Sequence, residues 1–447
     1  MAKYERYQKL QKYYLGVPVE PAEYKEGELI DTKDYNSIEE CEKYTPQITK
    51  NNWVTTISDF LSPNHGFTIN SLGTGDDGYY HSTIEGAGTF LDFEPGSVIY
   101  SHYVDLSNVT NFNRMFRVQS DYTGGDFTGW NTSNITDMGY MFGSCKKVTK
   151  LDLSSFDTRN VTTMELMFDN CNSLETLDLS HFDTRNVTTF NQMFHECNSL
   201  KALDLSHFDT SNVTDMGAMF NGCSSLKTLN LSSFDNSKVN TMENMFYDCT
   251  SLTTLNLSSF NTPNVTNMSH MFYDCSSLTT LDFSSFNTSK VTTMENMFSH
   301  CSSITTLDLS SFNTSKVNRM YGMFDSCRSL TTLDLSHFDT SNVTNMGYMF
   351  QNCRSLTTLD LSHFNTSKVT FIRSMFDGCS SLKTLNLSSF DLSSIDTSNE
   401  FPVTYMFNDC TSLQKIYAYN CNETTIGIIN NALSKAGLTE QVTIITQ

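Results

Sequence analysis

Residues 276–301 read SSLTTLDFSSFNTSKVTTMENMFSHC, and the pattern of this stretch returns every 26 residues along most of the chain. Ten cysteines keep that spacing, each three residues after the Phe of a Met-Phe pair. They are Cys145, Cys171, Cys197, Cys223, Cys249, Cys275, Cys301, Cys327, Cys353 and Cys379. A fixed period of roughly 20 to 50 residues indicates a solenoid, in which each repeat forms one coil.

The unit from Leu226 to Ser251 shows how one coil is built. Leu229 and Leu231 alternate with polar residues, which predicts a short strand with both leucines facing inward. After a polar turn, apolar residues recur at helical spacing up to the cysteine. One coil cannot bury its own apolar side chains, so neighbouring coils must cover it. The sequence therefore predicts an α/β solenoid, a leucine-rich-repeat-like stack of strand-turn-helix coils.

The composition at both ends differs from that of the repeats. Residues 1–102 alternate aromatic and β-branched runs with glycine, which predicts a small β-rich domain that serves for attachment. Residues 103–415 form the predicted solenoid. In residues 416–447, the spacing of Ile426, Ile429 and Leu433 predicts a helix stopped at Gly437, followed by a final strand. This last segment is expected to be a C-terminal α/β cap.

Two resemblances bear on function. The repeat in residues 276–301 resembles the 26-residue leucine-rich repeat of BspA-type bacterial surface proteins, which implies surface display and adhesion rather than catalysis. Residues 4–30, YERYQKLQKYYLGVPVEPAEYKEGELI, resemble leader segments of virion proteins from gut bacteriophages. The polar N-terminus has no signal-peptide pattern. These features favour a bacteriophage virion appendage on the virion surface, with a bacterial cell-surface adhesin or a purely structural virion decoration protein as alternatives.

The charge balance limits the expected partners. Lys and Arg total 28 against 49 Asp and Glu, a formal charge of −21, which argues against nucleic-acid binding because that requires a basic surface. No apolar run reaches the length of about 18 residues that a transmembrane helix needs. The expected partners are a host surface protein or glycan, and other virion proteins through residues 1–102. A homo-oligomer is a further expectation. No oriented nucleophile and base can be assigned, so no enzyme and no cofactor are expected.

A binding face is predicted from the positions that vary between repeats. The apolar positions barely change, whereas outward positions change type from coil to coil. Tyrosine and arginine are common anchors of protein interfaces. The predicted face consists of Tyr247, Tyr273, Tyr321, Arg328, Tyr348 and Arg354. Neutral variation of surface residues is the alternative explanation.

The cysteine column is open to three interpretations. Stacked coils lie about 4.8 Å apart, a spacing that does not forbid disulfide bonds. Each cysteine nevertheless belongs to the apolar series of its coil, where a free thiol packs as a small hydrophobic group. No C-x-x-C motif is present to favour a metal. Buried free thiols are the favoured structural role.

Two polar columns are candidate ligands. An outward Asp or Asn stands between the strand leucines of each coil, as in Asp282 and Asp308, and such a ladder could hold Ca²⁺ or stay exposed with raised pKa values. A second column, which includes Asp157 and Asn313, predicts Asx turns. Histidines one repeat apart could bind a metal or remain surface residues. These pairs are His181 with His207 and His337 with His363.

Overall fold

A computed structural model gives the fold of the chain. It describes residues 6–7, 13–14, 17–18, 29–31, 67–74, 80–86, 104–105, 109–117, 124, 127 and 130–447. Most of the predicted N-terminal domain, the virion-like segment 4–30 for the larger part, and Cys41 lie outside these residues. The described chain divides into two compact units, Met1–Asn186 and Val187–Gln447. In the described residues, no helix has the length and apolar character that crossing a membrane requires.

The regular elements are fifteen strands, one 3₁₀ turn and one α-helix within the described residues. The strands are β1 (Arg6–Tyr7), β2 (Tyr13–Tyr14), β3 (Val17–Pro18), β4 (Leu29–Asp31), β5 (Phe67–Thr74), β6 (Tyr80–Gly86), β7 (Val104–Asp105), β8 (Lys150–Leu151), β9 (Thr176–Leu177), β10 (Ala202–Asp204), β11 (Thr228–Asn230), β12 (Thr358–Asp360), β13 (Thr384–Asn386), β14 (Lys415–Tyr417) and β15 (Thr443–Ile445). The 3₁₀ turn spans Phe401–Val403, and helix α1 spans Glu423–Lys435.

The first unit combines short antiparallel pairs with the first coils. Strand β5 pairs antiparallel with β6, and β6 pairs parallel with β7. Strands β8 and β9 come from consecutive coils and pair parallel, with Leu151 opposite Leu177. Phe116, Phe142 and Phe168 stack in succession with ring centroids 5.4 and 5.8 Å apart. Coils of this unit therefore stack in parallel register around an aromatic column.

The second unit contains the longer run of coils. Strand β10 pairs with β11, and β12 to β15 form a four-stranded sheet in that order, all with parallel pairing. Helix α1 begins after Asn422, whose side chain accepts a hydrogen bond from the Thr425 backbone N–H. It ends before Gly437, which has a φ of 72°. The helix, its glycine stop and the final strand expected near the C-terminus are thus present.

The predicted solenoid is confirmed, with about 11 turns of about 26 residues in the chain. The predicted helix within each coil is wrong. In the coil that contains Met242 to Cys249, the backbone N–H groups of Met242, Asn244 and Phe246 donate to carbonyl groups of the next coil, at 2.9 to 3.0 Å. The N–H groups between them close short turns, such as Met245 to the Met242 carbonyl oxygen. A helix would direct these donors four residues back along the chain.

Left-handed residues permit this arrangement. Asn244 and Asp248 both have a φ of 57°, and equivalent positions recur in the other coils with positive φ. Asn, Asp and Gly tolerate the left-handed region better than other residues do, and several coils use them there. The sequence repeats its apolar residues with helical spacing, but two left-handed residues per coil break the segment into consecutive turns that pair with the next coil.

The core of the second unit is built of columns. The Val, Met, Met, Phe and Cys side chains that start at Val239 and Val265 are all 0% exposed. The phenylalanines of the Met-Phe pairs from Phe194 to Phe407 stack with centroids 5.5 to 5.9 Å apart and rings within 11° of parallel. Apolar burial on this scale is the main stabilising contribution. The coils thus form a rigid frame, and the residues that vary lie outside it.

Candidate functional site

Tyr247 and Tyr273 form the most closely stacked pair of tyrosines in the described chain. Each lies two residues before the cysteine of its coil, between the two left-handed positions, and each is half-buried. Their rings lie 4.5 Å apart between centroids and 3° from parallel. Parallel register between consecutive coils places identical positions one above the other, so identical residues in adjacent coils come face to face.

Two histidines lie next to this pair. The ring centroid of His270 is 6.3 Å from that of Tyr247 and 6.0 Å from that of Tyr273. His270 Nε2 lies 3.1 Å from the Asn296 side-chain amide, and burial lowers the pKa of His270, which favours the neutral ring. On the other side, the His300 centroid is 5.3 Å from that of Tyr273. The stack is therefore part of a larger aromatic cluster.

Carboxylates surround the cluster. Asp248 and Asp274 directly follow the two tyrosines in sequence. Burial, together with repulsion by Asp274, raises the pKa of Asp248. Burial also raises the pKa of Tyr247, and the two carboxylates raise it further. The tyrosines thus lie in a region of negative potential.

Asp325 closes one side of the cluster. Its Oδ2 atom lies 3.9 Å from His300 Nε2, and its Oδ1 atom accepts a hydrogen bond from the Ser326 hydroxyl at 2.9 Å. Burial raises the pKa of Asp325, while the nearby His300 and Arg328 favour its charged form. This carboxylate therefore has a hydroxyl group, an imidazole ring and an arginine as neighbours within the protein.

The remaining predicted face residues divide into separate groups. Tyr321 and Tyr348 form a second ring pair, with centroids 5.1 Å apart and a tilt of 52°. Arg328 and Arg354 are exposed, and the structure places Arg354 within 3.5 Å of the Asn352 side-chain oxygen. Two tyrosine pairs thus form within the predicted face, and the arginines are found beside polar groups.

An aromatic patch near the C-terminus lies outside the predicted binding face. Phe401 and Tyr405 are 53% and 57% exposed, which makes them two of the most exposed large hydrophobic residues described. The Arg373 guanidinium lies 4.5 Å from the Phe401 ring centroid and 5.1 Å from that of Tyr405. The sequence feature that indicates this patch is a five-residue insertion before Met406, which interrupts the 26-residue spacing.

The outward aspartates make turns with their own coils. The Asp282 and Asp308 carboxylates accept hydrogen bonds from the backbone N–H groups of Ser284 and Ser310, at 2.9 and 3.0 Å. These bonds hold the pKa of both aspartates below the usual value, so the expectation of raised pKa values is wrong. Charge repulsion along the column is weaker than the effect of the hydrogen bonds. The second column does form Asx turns, as Asp157 and Asn313 illustrate.

The histidine pairs and the aspartate ladder do not assemble a metal site in the described residues. Within that part of the chain, no three His, Cys, Asp or Glu side chains come together in a way that could hold a metal ion. Each histidine of the predicted pairs lies within 3.4 Å of the hydroxyl of the preceding serine. Ca²⁺ on the ladder and metal on the histidines therefore remain predictions without a coordinating cluster.

The cysteines of the column are buried free thiols. Sulfurs along the column donate to the carbonyl oxygen of the Met-Phe phenylalanine in the preceding coil, as in Cys249 to Phe220 at 3.2 Å and Cys275 to Phe246 at 3.1 Å. Cys410 continues the column after the insertion and bonds to the Phe376 carbonyl oxygen at 3.0 Å. Burial raises the pKa of Cys223 to about 12, so the thiol stays protonated and can donate.

Comparison with known families identifies the repeats. Residues 97–203, 173–279, 197–307, 249–337 and 292–420 each match the family described as "Mycoplasma protein of unknown function, DUF285". Together these matches extend from residue 97 to residue 420. No curated protein is detectably similar to the chain in sequence.

Three solved leucine-rich proteins of bacteria are similar to the chain. A leucine-rich cell-surface protein from Faecalibacterium prausnitzii A2-165 is 18% identical, covers 83% of this chain and 97% of its own, and gives a TM-score of 0.45. A leucine-rich-repeat protein from Eubacterium ventriosum is 17% identical, with coverages of 79% and 88% and a TM-score of 0.27. The functional domain of InlJ from Listeria monocytogenes, which includes a cysteine ladder, is 15% identical, with coverages of 71% and 64% and a TM-score of 0.23. At these values, the three proteins carry no information about function.

Proposed function

This chain belongs to the DUF285 family, and from that premise we propose that it is a non-enzymatic recognition protein displayed at a bacterial cell surface. The repeat in residues 276–301 resembles that of BspA-type surface proteins, which supports this function. The family that matches residues 97–420 is described from Mycoplasma, a bacterial genus, which favours the cell-surface alternative over the virion appendage that the sequence favoured. The proposed partner is a protein.

The proposal depends on a contrast in sequence variation. The buried positions of the coils hardly change from coil to coil, whereas the outward positions do. The Val, Met, Phe and Cys columns are the same in nearly every coil and fully buried. At the position two residues before the cysteine, by contrast, Asn221 is followed by Tyr247, Tyr273 and Ser299 in successive coils. Large aromatic side chains that stay partly exposed outside the core suit the contact surface of a partner.

The proposed function assigns a different role to each of the three predicted segments of the chain. We propose that residues 1–102 attach the protein and that the solenoid of residues 103–415 presents the binding surface. We also propose that residues 416–447 serve as a cap, because β15 extends the coil sheet beyond β14 and helix α1 buries Ile429 and Leu433.

Intact cells of the bacterium that carries the gene provide the test. Antibodies raised against the purified full chain should label unpermeabilised cells, and external protease should remove that label. The full chain should also bind host extracellular proteins in a plate assay, and a variant with Tyr247, Tyr273, Tyr321 and Tyr348 changed to Ser should bind less. Label that appears only after permeabilisation, or capture of the chain with purified phage particles, would overturn the proposal.

A further inference from the structure

We propose that Tyr247, Tyr273 and the carboxylates beside them form a binding site for arginine or lysine side chains of a basic segment in the partner protein. This inference rests on the proposed recognition function and names the chemistry of its partner. The occupant is a cation carried by a protein, because the site combines aromatic rings with uncompensated negative charge.

The tyrosine stack ends after two rings. The same column position holds Asn221 in the coil before Tyr247 and Ser299 in the coil after Tyr273. Buried phenylalanine rings in the core instead continue through every coil from Phe194 to Phe407. A two-ring stack on the outside of the frame therefore resembles a platform more than a continuous structural column. Cations bind favourably within about 6 Å of such ring centroids.

Charge selects the occupant. Asp248 and Asp274 flank the stack, and their charge raises the pKa of Tyr247. Asp274 also raises the pKa of Asp248, so the carboxylates repel each other. Asp325, at the other side of the cluster, has its own partner, because its Oδ2 atom lies 3.9 Å from His300 Nε2. A bound cation would relieve the repulsion, whereas a neutral sugar would not.

The protein places its own guanidinium groups over aromatic rings elsewhere. Arg373 lies over Phe401 at 4.5 Å, and Arg117 lies over Tyr140 at 4.8 Å in the first unit. In the described part of the chain, the structure records no such internal cation over Tyr247 or Tyr273. The coil turns can therefore hold a guanidinium group against an aromatic ring. At Tyr247 and Tyr273, such a cation would have to be supplied by the partner protein.

Isothermal titration of the purified full chain tests the proposal with a nine-residue peptide of alternating Arg and Gly. Changing both tyrosines to Ala should weaken binding about 5- to 30-fold, which corresponds to losing one or two cation–π contacts. Changing Asp248 and Asp274 to Asn should weaken binding and reduce its dependence on salt. The matched control, Asp308→Asn with Asp334→Asn, removes the same charge from exposed positions outside the cluster and should leave the affinity within about twofold.

A second double variant, Tyr247→Phe with Tyr273→Phe, keeps both aromatic rings and should retain affinity for the peptide. Its comparison with the alanine variant separates a loss of recognition from a loss of folding. Equal affinity in the alanine variant and the parent chain would overturn the proposal, as would an equal loss in the Asp308 and Asp334 control. Tyrosine-dependent binding of neutral glycans, without peptide binding, would also overturn it. Because the titration uses purified protein, its outcome is independent of whether cells display the chain, so the proposed function and this inference can fail separately.

Discussion

The hydroxyl group of Thr210 donates to the Asp235 carbonyl oxygen at 2.9 Å and accepts a hydrogen bond from the Asp235 backbone N–H at 2.7 Å. One buried side chain thus joins two consecutive coils through both of its hydrogen-bonding functions. Thr262 makes the same two contacts with Asn287. Between them, this column position is occupied by Asn236, which is 0% exposed and whose Nδ2 and Oδ1 atoms both lack a partner.

Asn236→Thr should therefore stabilise the protein. The threonine would restore the coil-to-coil bonds and remove two buried atoms without partners, a change of about 1 to 3 kcal/mol in the free energy of unfolding. Urea denaturation measured by circular dichroism checks this value. The reverse replacement, Thr288→Asn, is the control and should destabilise by a similar amount. A less stable Asn236→Thr variant would contradict the bonding described for this column.

Ala218→Gly should also stabilise the protein, by about 1 kcal/mol. Ala218 has a φ of 51°, a left-handed conformation that costs alanine roughly 1 to 2 kcal/mol and glycine very little. Ala202, exposed in strand β10, provides the matched control, because glycine there should cost about 0.5 to 1 kcal/mol. Thermal unfolding of both variants gives the comparison. If both replacements shift the melting temperature downward, the left-handed assignment is wrong.

Two aspartates should respond oppositely to neutralisation. Burial raises the pKa of Asp325 in the folded state, so its ionised form costs stability, and Asp325→Asn should stabilise at neutral pH. Hydrogen bonds from Ser310 lower the pKa of Asp308, so its charge contributes stability above the unfolded-state pKa. Asp308→Asn should therefore destabilise at neutral pH. Both effects should fade as the pH falls far enough to protonate the carboxylates, which urea denaturation at pH 7 and pH 3 can measure. Effects of the same sign at pH 7 would contradict the environments described.

The thiols of the column should resist alkylation while the protein is folded. Cys421 is the exception expected within the described chain, because it is only partly buried whereas the column thiols are fully covered. In a Cys41→Ser background, maleimide should label about one thiol rapidly, and a further Cys421→Ser change should remove that fast phase. Mass spectrometry of the labelled peptides provides the readout. Rapid labelling of Cys249 or Cys275 in folded protein would contradict the buried column.

The repeat spacing was sufficient to predict the solenoid, because residues such as Phe246 and Cys249 can share one core only if each coil repeats the path of the last. The spacing misled about the helix, since i, i+3 and i+7 apolar positions also fit consecutive turns once Asn244 and Asp248 adopt positive φ. The tyrosine positions followed from variation between repeats. Their pairing with His270 and Asp325 depends on side-chain conformation and burial, which spacing does not specify.

Hydrogen–deuterium exchange of the full chain, with and without the Arg-Gly peptide, tests most directly whether the solenoid acts as a recognition surface. The backbone N–H groups of Asp248 and Asp274 bond to the next coil at the Tyr247 and Tyr273 turns. Residues 243–250 and 269–276 should exchange more slowly when the peptide is bound, with little change in β12 to β15. Unchanged exchange at these turns, or protection confined to the sheet strands, would contradict it.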